Sequence, residues 1–213
     1  MHVIHRGIVN KNFKENLLIS FKKSFNAGFG IETDIHATKD EKFVCFHDFT
    51  LKRMFKKKLS IKNLVYSSLK TLTELKKKPI PLIEDVLKAS KNKYPILVEI
   101  KPNFSTKLLK KLIKQTYKYP KCIFISFKHK NIYKMLKINK NLKVGLSFSY
   151  NIKINTIIKK SKNNKVNYLV LDKKFLKNEK IQKLGIKKFY YTIKNKAEFK
   201  KYSNKNSLIF ENL

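Results

Sequence analysis

Eight short apolar runs recur along this chain, and their spacing limits the folds open to it more than any other feature. They occupy residues 3–6, 31–36, 96–100, 122–126, 144–147, 168–171, 189–192 and 208–210. Amphipathic, lysine-rich segments lie between them. Leu17, Leu18, Phe21 and Phe25 recur at helical spacing, with Gly28 following as a C-cap. A second helix is expected from Ser105, an N-cap residue, carrying Leu108, Leu109, Leu112 and Ile113. Ile132, Met135 and Leu136 mark a third, and Ile154, Ile157 and Ile158 a fourth. Strands alternating with helices indicate a parallel sheet. Eight of them in 213 residues predict a small α/β protein with a closed (β/α)8 barrel. An open doubly wound sheet is the alternative. "KFVCFH" breaks the alternation as an extra extended piece, and residues 48–78 lack a clean period, so an excursion over the active-site face is expected there. No internal repeat or low-complexity linker interrupts the chain, which is expected to form one domain over 1–213. The usual helix after the eighth run is not expected.

Polar residues concentrate where strands should end. His5-Arg6-Gly7 closes the first run. Glu32 and Asp34 are two apart on the second, so both carboxylates share a face. Glu99 and Lys101 are likewise two apart at the end of the third, with Val98 and Ile100 pointing toward the helices. His47-Asp48 closes the extra extended piece. A barrel gathers such strand ends at the face that carries active sites. Three converging carboxylates repel one another unless a cation shares them, and oxygen-only ligation suits Mg²⁺ or Ca²⁺ better than zinc. Two histidines beside a cation supply a general acid and base. Arg6 and Lys101 can hold an anionic group, and Gly7 would let backbone approach it closely. Together these describe cleavage of a phosphate ester. His2, His36 and His129 lack matching partners and are read as ordinary residues, and Glu84 as a solvated acid in the first turn of a helix.

Charge needs a separate account. The chain carries 50 lysines and arginines against 14 aspartates and glutamates. All but two of the 50 are lysine, spread from end to end, as a general compositional bias would leave them. A basic nucleic-acid-binding protein is the rival reading from outside enzymology, but it gives the histidines and carboxylates no work, so nucleic acid is not the expected partner. The two arginines are the informative cations, because arginine persists where a planar fork of donors is needed. Arg6 lies in the strand-end motif. Arg6 is expected to be irreplaceable by lysine, and Arg53 to form a supporting ion pair and to tolerate lysine better. Cys45 and Cys122 lack metal-type spacing and read as buried free thiols in a reducing compartment. With no signal peptide and no apolar run near the roughly 18 residues of a membrane helix, a cytoplasmic protein is expected.

The motifs themselves carry a resemblance. "HRG", then "EN" at Glu15-Asn16, "GIETDIHATKD", "FHDFTLKR", "IPLIEDVL", "VEIK" and "ISF" stand in the order and spacing of the glycerophosphodiester phosphodiesterases. The likeness is dense over residues 3–127 and fainter through "GIKKFYYTIKNKAEF". The resemblance implies a (β/α)8 barrel that hydrolyses glycerophosphodiesters to glycerol 3-phosphate and an alcohol with one divalent cation. It implies His5 and His47 as the acid–base pair, Glu32, Asp34 and Glu99 as metal ligands, and Arg6 and Lys101 as phosphate contacts. Two features depart from it. Tyr191 stands where the family often has tryptophan, and "SLIFENL" lacks the family's usual ending, though Glu211 lies near its acidic position. A barrel relative acting phospholipase D-like on a lysophospholipid or sphingolipid is the nearest alternative. A lipid surface or a second copy of the chain could cover the face left open by the missing helix.

Overall fold

The computed structural model describes residues 1–11, 13–163 and 165–211. The first four elements are β1 (His2–His5), α1 (Leu18–Asn26), β2 (Gly30–Ala37) and β3 (Phe43–Cys45). Next come α2 (Lys52–Phe55), α3 (Tyr66–Glu74), α4 (Ile83–Ala89) and β4 (Ile96–Ile100). Then follow α5 (Thr106–Thr116), β5 (Cys122–Ser126), α6 (His129–Ile138), β6 (Val144–Phe148), α7 (Ile154–Ser161) and β7 (Tyr168–Asp172). The last are α8 (Glu179–Gln182), β8 (Lys187–Ile193), α9 (Lys196–Ser203) and β9 (Ser207–Phe210). The parallel strands run in the order β1, β9, β8, β7, β6, β5, β4, β2, and β2 pairs back onto β1. That last pairing closes the sheet into an eight-stranded barrel and excludes the open alternative. The "KFVCFH" piece is β3, antiparallel to the end of β2 through Ile35–Cys45 pairing. Among the described residues no helix follows β9, and no helix is long and apolar enough to cross a membrane.

Alternation along each strand divides the core. Val3, Leu97, Ile123, Ile125, Val170, Phe189 and Ile209 fill the barrel interior. Ile31, Ile35, Val98 and Ile100 belong instead to the larger core shared with Phe21, Leu109 and Leu112 of the surrounding helices. Polar residues at the same parity as the interior set therefore face the barrel axis. Local signals agree. The Ser105 hydroxyl accepts from the Leu108 N–H at 3.2 Å as an N-cap, and Gly28, at φ +83°, ends α1. Residues 48–78 hold α2, α3 and a short 3₁₀ turn, which sequence periodicity did not reveal. Their own small core of Leu51, Phe55, Ile61 and Leu69 meets Val44, Phe46 and Ile80. α2, at four residues, is too short to show a period, and α3 buries only Leu69 and Thr73, too few to mark an apolar face.

Candidate active site

A cavity of about 250 Å³ opens at the C-terminal mouth of the barrel, lined in part by His5, Arg6, Glu32, His47, Glu99 and Lys101. The seventh residue singled out in the sequence, Asp34, lies directly behind this wall, 1% exposed. The structure thus brings all seven together. Its opposite wall includes Phe127 and Tyr191, whose rings meet edge to face at 6.0 Å, and the Tyr191 hydroxyl donates to the Phe148 carbonyl at 2.8 Å.

Each acid is placed by its strand. Glu32 and Asp34 project inward from β2, Glu99 from the adjacent β4, and Asp34 pairs in register with Glu99. One oxygen from each of the three lies within 4.8 Å of the other two. Lys101 Nζ sits 2.9 Å from Glu99 Oε1 and 3.4 Å from Asp34 Oδ1. Arg6 Nε lies 3.1 Å from Asp34 Oδ2, an ionic contact rather than an aligned hydrogen bond. Burial first, and then the charges of Asp34 and Glu99, push the Glu32 carboxyl well above the usual range. Burial, with Asp34 next, raises Glu99 to about 7. Burial acts on Asp34 in the same direction, yet Arg6 and Lys101 hold it below its ordinary value. Two acids that ionise reluctantly beside a third that is charged make a site short of positive charge. Glu32 Oε2 is moreover buried without a hydrogen-bond partner. An all-carboxylate donor set with such an oxygen fits a hard divalent cation.

This electrostatic conflict has a pH consequence. In the metal-free fold Glu99 keeps its proton up to about pH 7, whereas in the unfolded chain it ionises near 4.3. Across that window the folded state binds more protons, so this group's contribution to stability falls as pH rises. In excess chelator, Glu99→Gln is therefore expected to gain thermal stability relative to the parent between about pH 5 and pH 7.5. Melting curves that stay parallel across this range would contradict the assignment.

Both histidines are tethered through Nδ1. His5 Nδ1 is 3.1 Å from Glu211 Oε2, and His47 Nδ1 is 2.7 Å from Asp48 Oδ1. The His5 hydrogen bond, with that of Lys194, draws Glu211 down to about 2 despite partial burial. Burial opposes the ionisation of Asp48, but hydrogen bonds from Arg53 and His47 keep it below the usual value. Ionised carboxylates accept only, so each Nδ1 carries the proton and each Nε2 is left for exchange. Burial, outweighing Asp34, lowers the His47 pKa and favours the neutral ring. The other three histidines are outside the cavity wall. His36 Nε2 contacts the His47 carbonyl at 3.2 Å, His129 bridges the Ser147 carbonyl and Lys160, and His2 packs on Phe199.

Several supporting residues were not legible as such. Asn16, 1% exposed, donates to Asp34 Oδ2 at 3.2 Å and accepts from Thr33 Oγ1 at 2.8 Å. Glu15 contacts Arg6 Nη1 at 3.4 Å and also binds Arg53. The "EN" dipeptide signalled both only by its motif position. Gly7 has a packing role beside the one expected from the sequence. At φ +77°, a Cβ there would come within 3.0 Å of the Phe21 ring and the Ser20 backbone, so close packing of α1 already demands glycine. Cys45 and Cys122 are buried free thiols whose pKa burial raises to about 12. Glu84 pairs with Lys88 at 2.9 Å in the first turn of α4.

Known proteins resemble this chain in sequence and in fold. Residues 5–209 match a model of the glycerophosphoryl diester phosphodiesterase family. A glycerophosphodiester phosphodiesterase of Caldanaerobacter subterraneus is 28% identical over 161 residues, covering 68% of this chain and 65% of that protein. Human lysophospholipase D is 33% identical over 132 residues, 55% of this chain and 41% of that protein. The chain thus spans less than two thirds of the length of either relative. The glycerophosphodiester phosphodiesterase of Thermotoga maritima superposes with a TM-score of 0.83 at 24% identity, over 98% of this chain and 93% of that one. An Oleispira antarctica phosphodiesterase, solved with its product sn-glycerol 3-phosphate, gives 0.83 at 18% identity over 99% and 92%. At these identities the structural likeness is one of fold. The family match, spanning nearly the whole sequence, carries more, and by it the chain belongs to the glycerophosphoryl diester phosphodiesterase family.

Proposed function

We propose that this protein is a phosphoric diester hydrolase that cleaves glycerophosphodiesters to glycerol 3-phosphate and an alcohol. Residues 1–213 would act as one barrel domain, with 48–78 over its active-site face, in a cytoplasmic setting. The observation that carries the reading is the convergence of two carboxylate-tethered histidines, three buried acids and two cations on one cavity. Glu32, Asp34 and Glu99 would hold one Mg²⁺ or Ca²⁺. Three carboxylates against Arg6 and Lys101 leave the site one charge negative, and a divalent ion makes it one positive, the sign a monoanionic phosphodiester requires.

The chain's own residues do the rest. Arg6 and Lys101 orient the non-bridging phosphate oxygens. His47, neutral near pH 7 with its Nδ1–H held by Asp48, takes the proton of the attacking oxygen at Nε2. His5, its Nδ1–H held by Glu211 and a second proton on Nε2, gives the Nε2 proton to the departing alkoxide and is left as the neutral ring. Phe127 and Tyr191 close the far wall and limit water around the ester. The relatives named lysophospholipase D and this aromatic wall support a second reading, a lysophospholipid substrate in the same site.

A substrate panel tests both. Glycerophosphocholine, glycerophosphoethanolamine, lysophosphatidylcholine and single-stranded DNA are each incubated with Mg²⁺, with Ca²⁺ or with chelator. Metal-dependent turnover of the glycerophosphodiesters is expected. A preference for the lysophospholipid would move the assignment to the second reading. Tight, salt-sensitive DNA binding without turnover of any diester would overturn both.

A further inference from the structure

We infer that Arg53 and Glu15 are positioning residues that fix His47 and Arg6 relative to one another, and that position 53 requires a guanidinium. The inference rests on the reading of His47 as a proton-exchanging group. In a chain with 50 basic residues, the only two arginines meet on the same carboxylate oxygen. Arg6 Nη1 reaches Glu15 Oε1 at 3.4 Å, and Arg53 Nη2 binds that oxygen as well. Arg53 also grips Asp48 with two nitrogens, Nε to Oδ2 at 2.7 Å and Nη2 to Oδ1 at 3.2 Å. Asp48 Oδ1 in turn faces His47 Nδ1 at 2.7 Å. A continuous path therefore runs from His47 through Asp48, Arg53 and Glu15 to Arg6, and on to Asp34.

The path joins four separate pieces of backbone. His47 and Asp48 follow β3, Arg53 lies on α2, Glu15 on the loop before α1, and Arg6 just beyond β1. Asp48 is the immediate neighbour of His47, and without a second anchor its carboxylate can turn away from the ring. Arg53 supplies that anchor by occupying both of its oxygens, so the imidazole keeps one tautomer and one orientation. An ammonium is a point charge and cannot span two Asp48 oxygens and Glu15 together. Arg53 is half exposed, so as a surface ion pair it adds little to stability. Its value lies in geometry. The ion pairs expected of Arg53 from the sequence are present, and their two-carboxylate geometry is the ground for requiring a guanidinium where the sequence alone suggested lysine would be better tolerated than at position 6.

Steady-state kinetics on glycerophosphocholine with Arg53→Lys, Arg53→Ala, Glu15→Gln, His47→Ala and, as a neighbouring control, Lys52→Gln test the inference, with melting temperatures taken in parallel. Arg53→Lys and Arg53→Ala are expected to lower kcat by about 10–100-fold, the usual scale for a group that orients a catalytic one, with KM changed by less than about two-fold. Millimolar guanidinium is expected to restore part of the Arg53→Ala activity, and ammonium at equal ionic strength is not. Glu15→Gln, nearly isosteric, touches both arginines and is expected to change kcat and KM together. It keeps the test open if the Arg53 variants fold poorly. Near-parental kcat in both Arg53→Lys and Glu15→Gln, with His47→Ala inactive, would overturn the inference and leave the proposed function standing. An active His47→Ala would overturn both.

Discussion

Replacing His47 or His5 with alanine is expected to lower kcat on a glycerophosphodiester by roughly 10²–10⁴-fold, the range of a general acid or base contribution. The expectation follows from their surroundings. Each ring is held through Nδ1 by an ionised carboxylate and lines the same cavity as the acid cluster. Both are partly exposed in that cavity, at 20% and 32% for their side chains, so their loss leaves the buried core intact. His129→Ala removes a ring that serves a backbone carbonyl and Lys160 and does not line the cavity, and His2→Ala one that packs on Phe199. Both should be mild. Initial rates of the four variants, with circular dichroism to confirm folding, decide the matter. If His129→Ala or His2→Ala cost as much as His5→Ala in a folded protein, the site would be misplaced.

The second large effect concerns the acid cluster. Activity is expected to fall to background in excess chelator and to return with Mg²⁺ or Ca²⁺. Asp34→Asn should raise the metal concentration for half-maximal activity by at least about 10-fold, since even outer-sphere changes cost that much. Asp34 is the natural target because Arg6, Lys101 and Asn16 converge on it and keep it ionised. The neutral amide keeps the size of the side chain but loses the charge that both cations balance. Binding of Mg²⁺ or Ca²⁺ by isothermal calorimetry gives a readout independent of turnover. Full activity in excess chelator, or unchanged metal affinity in Asp34→Asn, would contradict the ligand assignment.

The barrel was legible in the sequence because parallel strands buried on both sides read as short apolar runs, and helical periods stood at four of the connections between the eight of them. The acids were legible for a simpler reason. Period-two spacing at a strand end fixes which way Glu32, Asp34 and Glu99 point, whatever their neighbours do. Contacts between distant segments were not. Glu211 meets His5 across 206 positions, and Glu15 meets Arg53 across 38. No local pattern encodes such a pair. α9 was missed because none of its residues is fully buried and only Phe199 and Tyr202 pack on the core. Residues 48–78 hid their helices because α2 is only four residues long and α3 buries only Leu69 and Thr73, within a small core of their own. Arg53 shows the same limit at a single position. Its rarity among lysines was visible, while its two-carboxylate grip needed the fold.

The central claim is that this cavity breaks a phosphodiester so that phosphate stays with glycerol. Phosphorus-31 NMR of glycerophosphocholine incubated with the protein and Mg²⁺ or Ca²⁺ tests it directly. Loss of the diester resonance and growth of the glycerol 3-phosphate monoester resonance in equal amount are expected, with neither change in His47→Ala. An unchanged diester under both metals, or phosphocholine as the phosphorus-containing product, would contradict it.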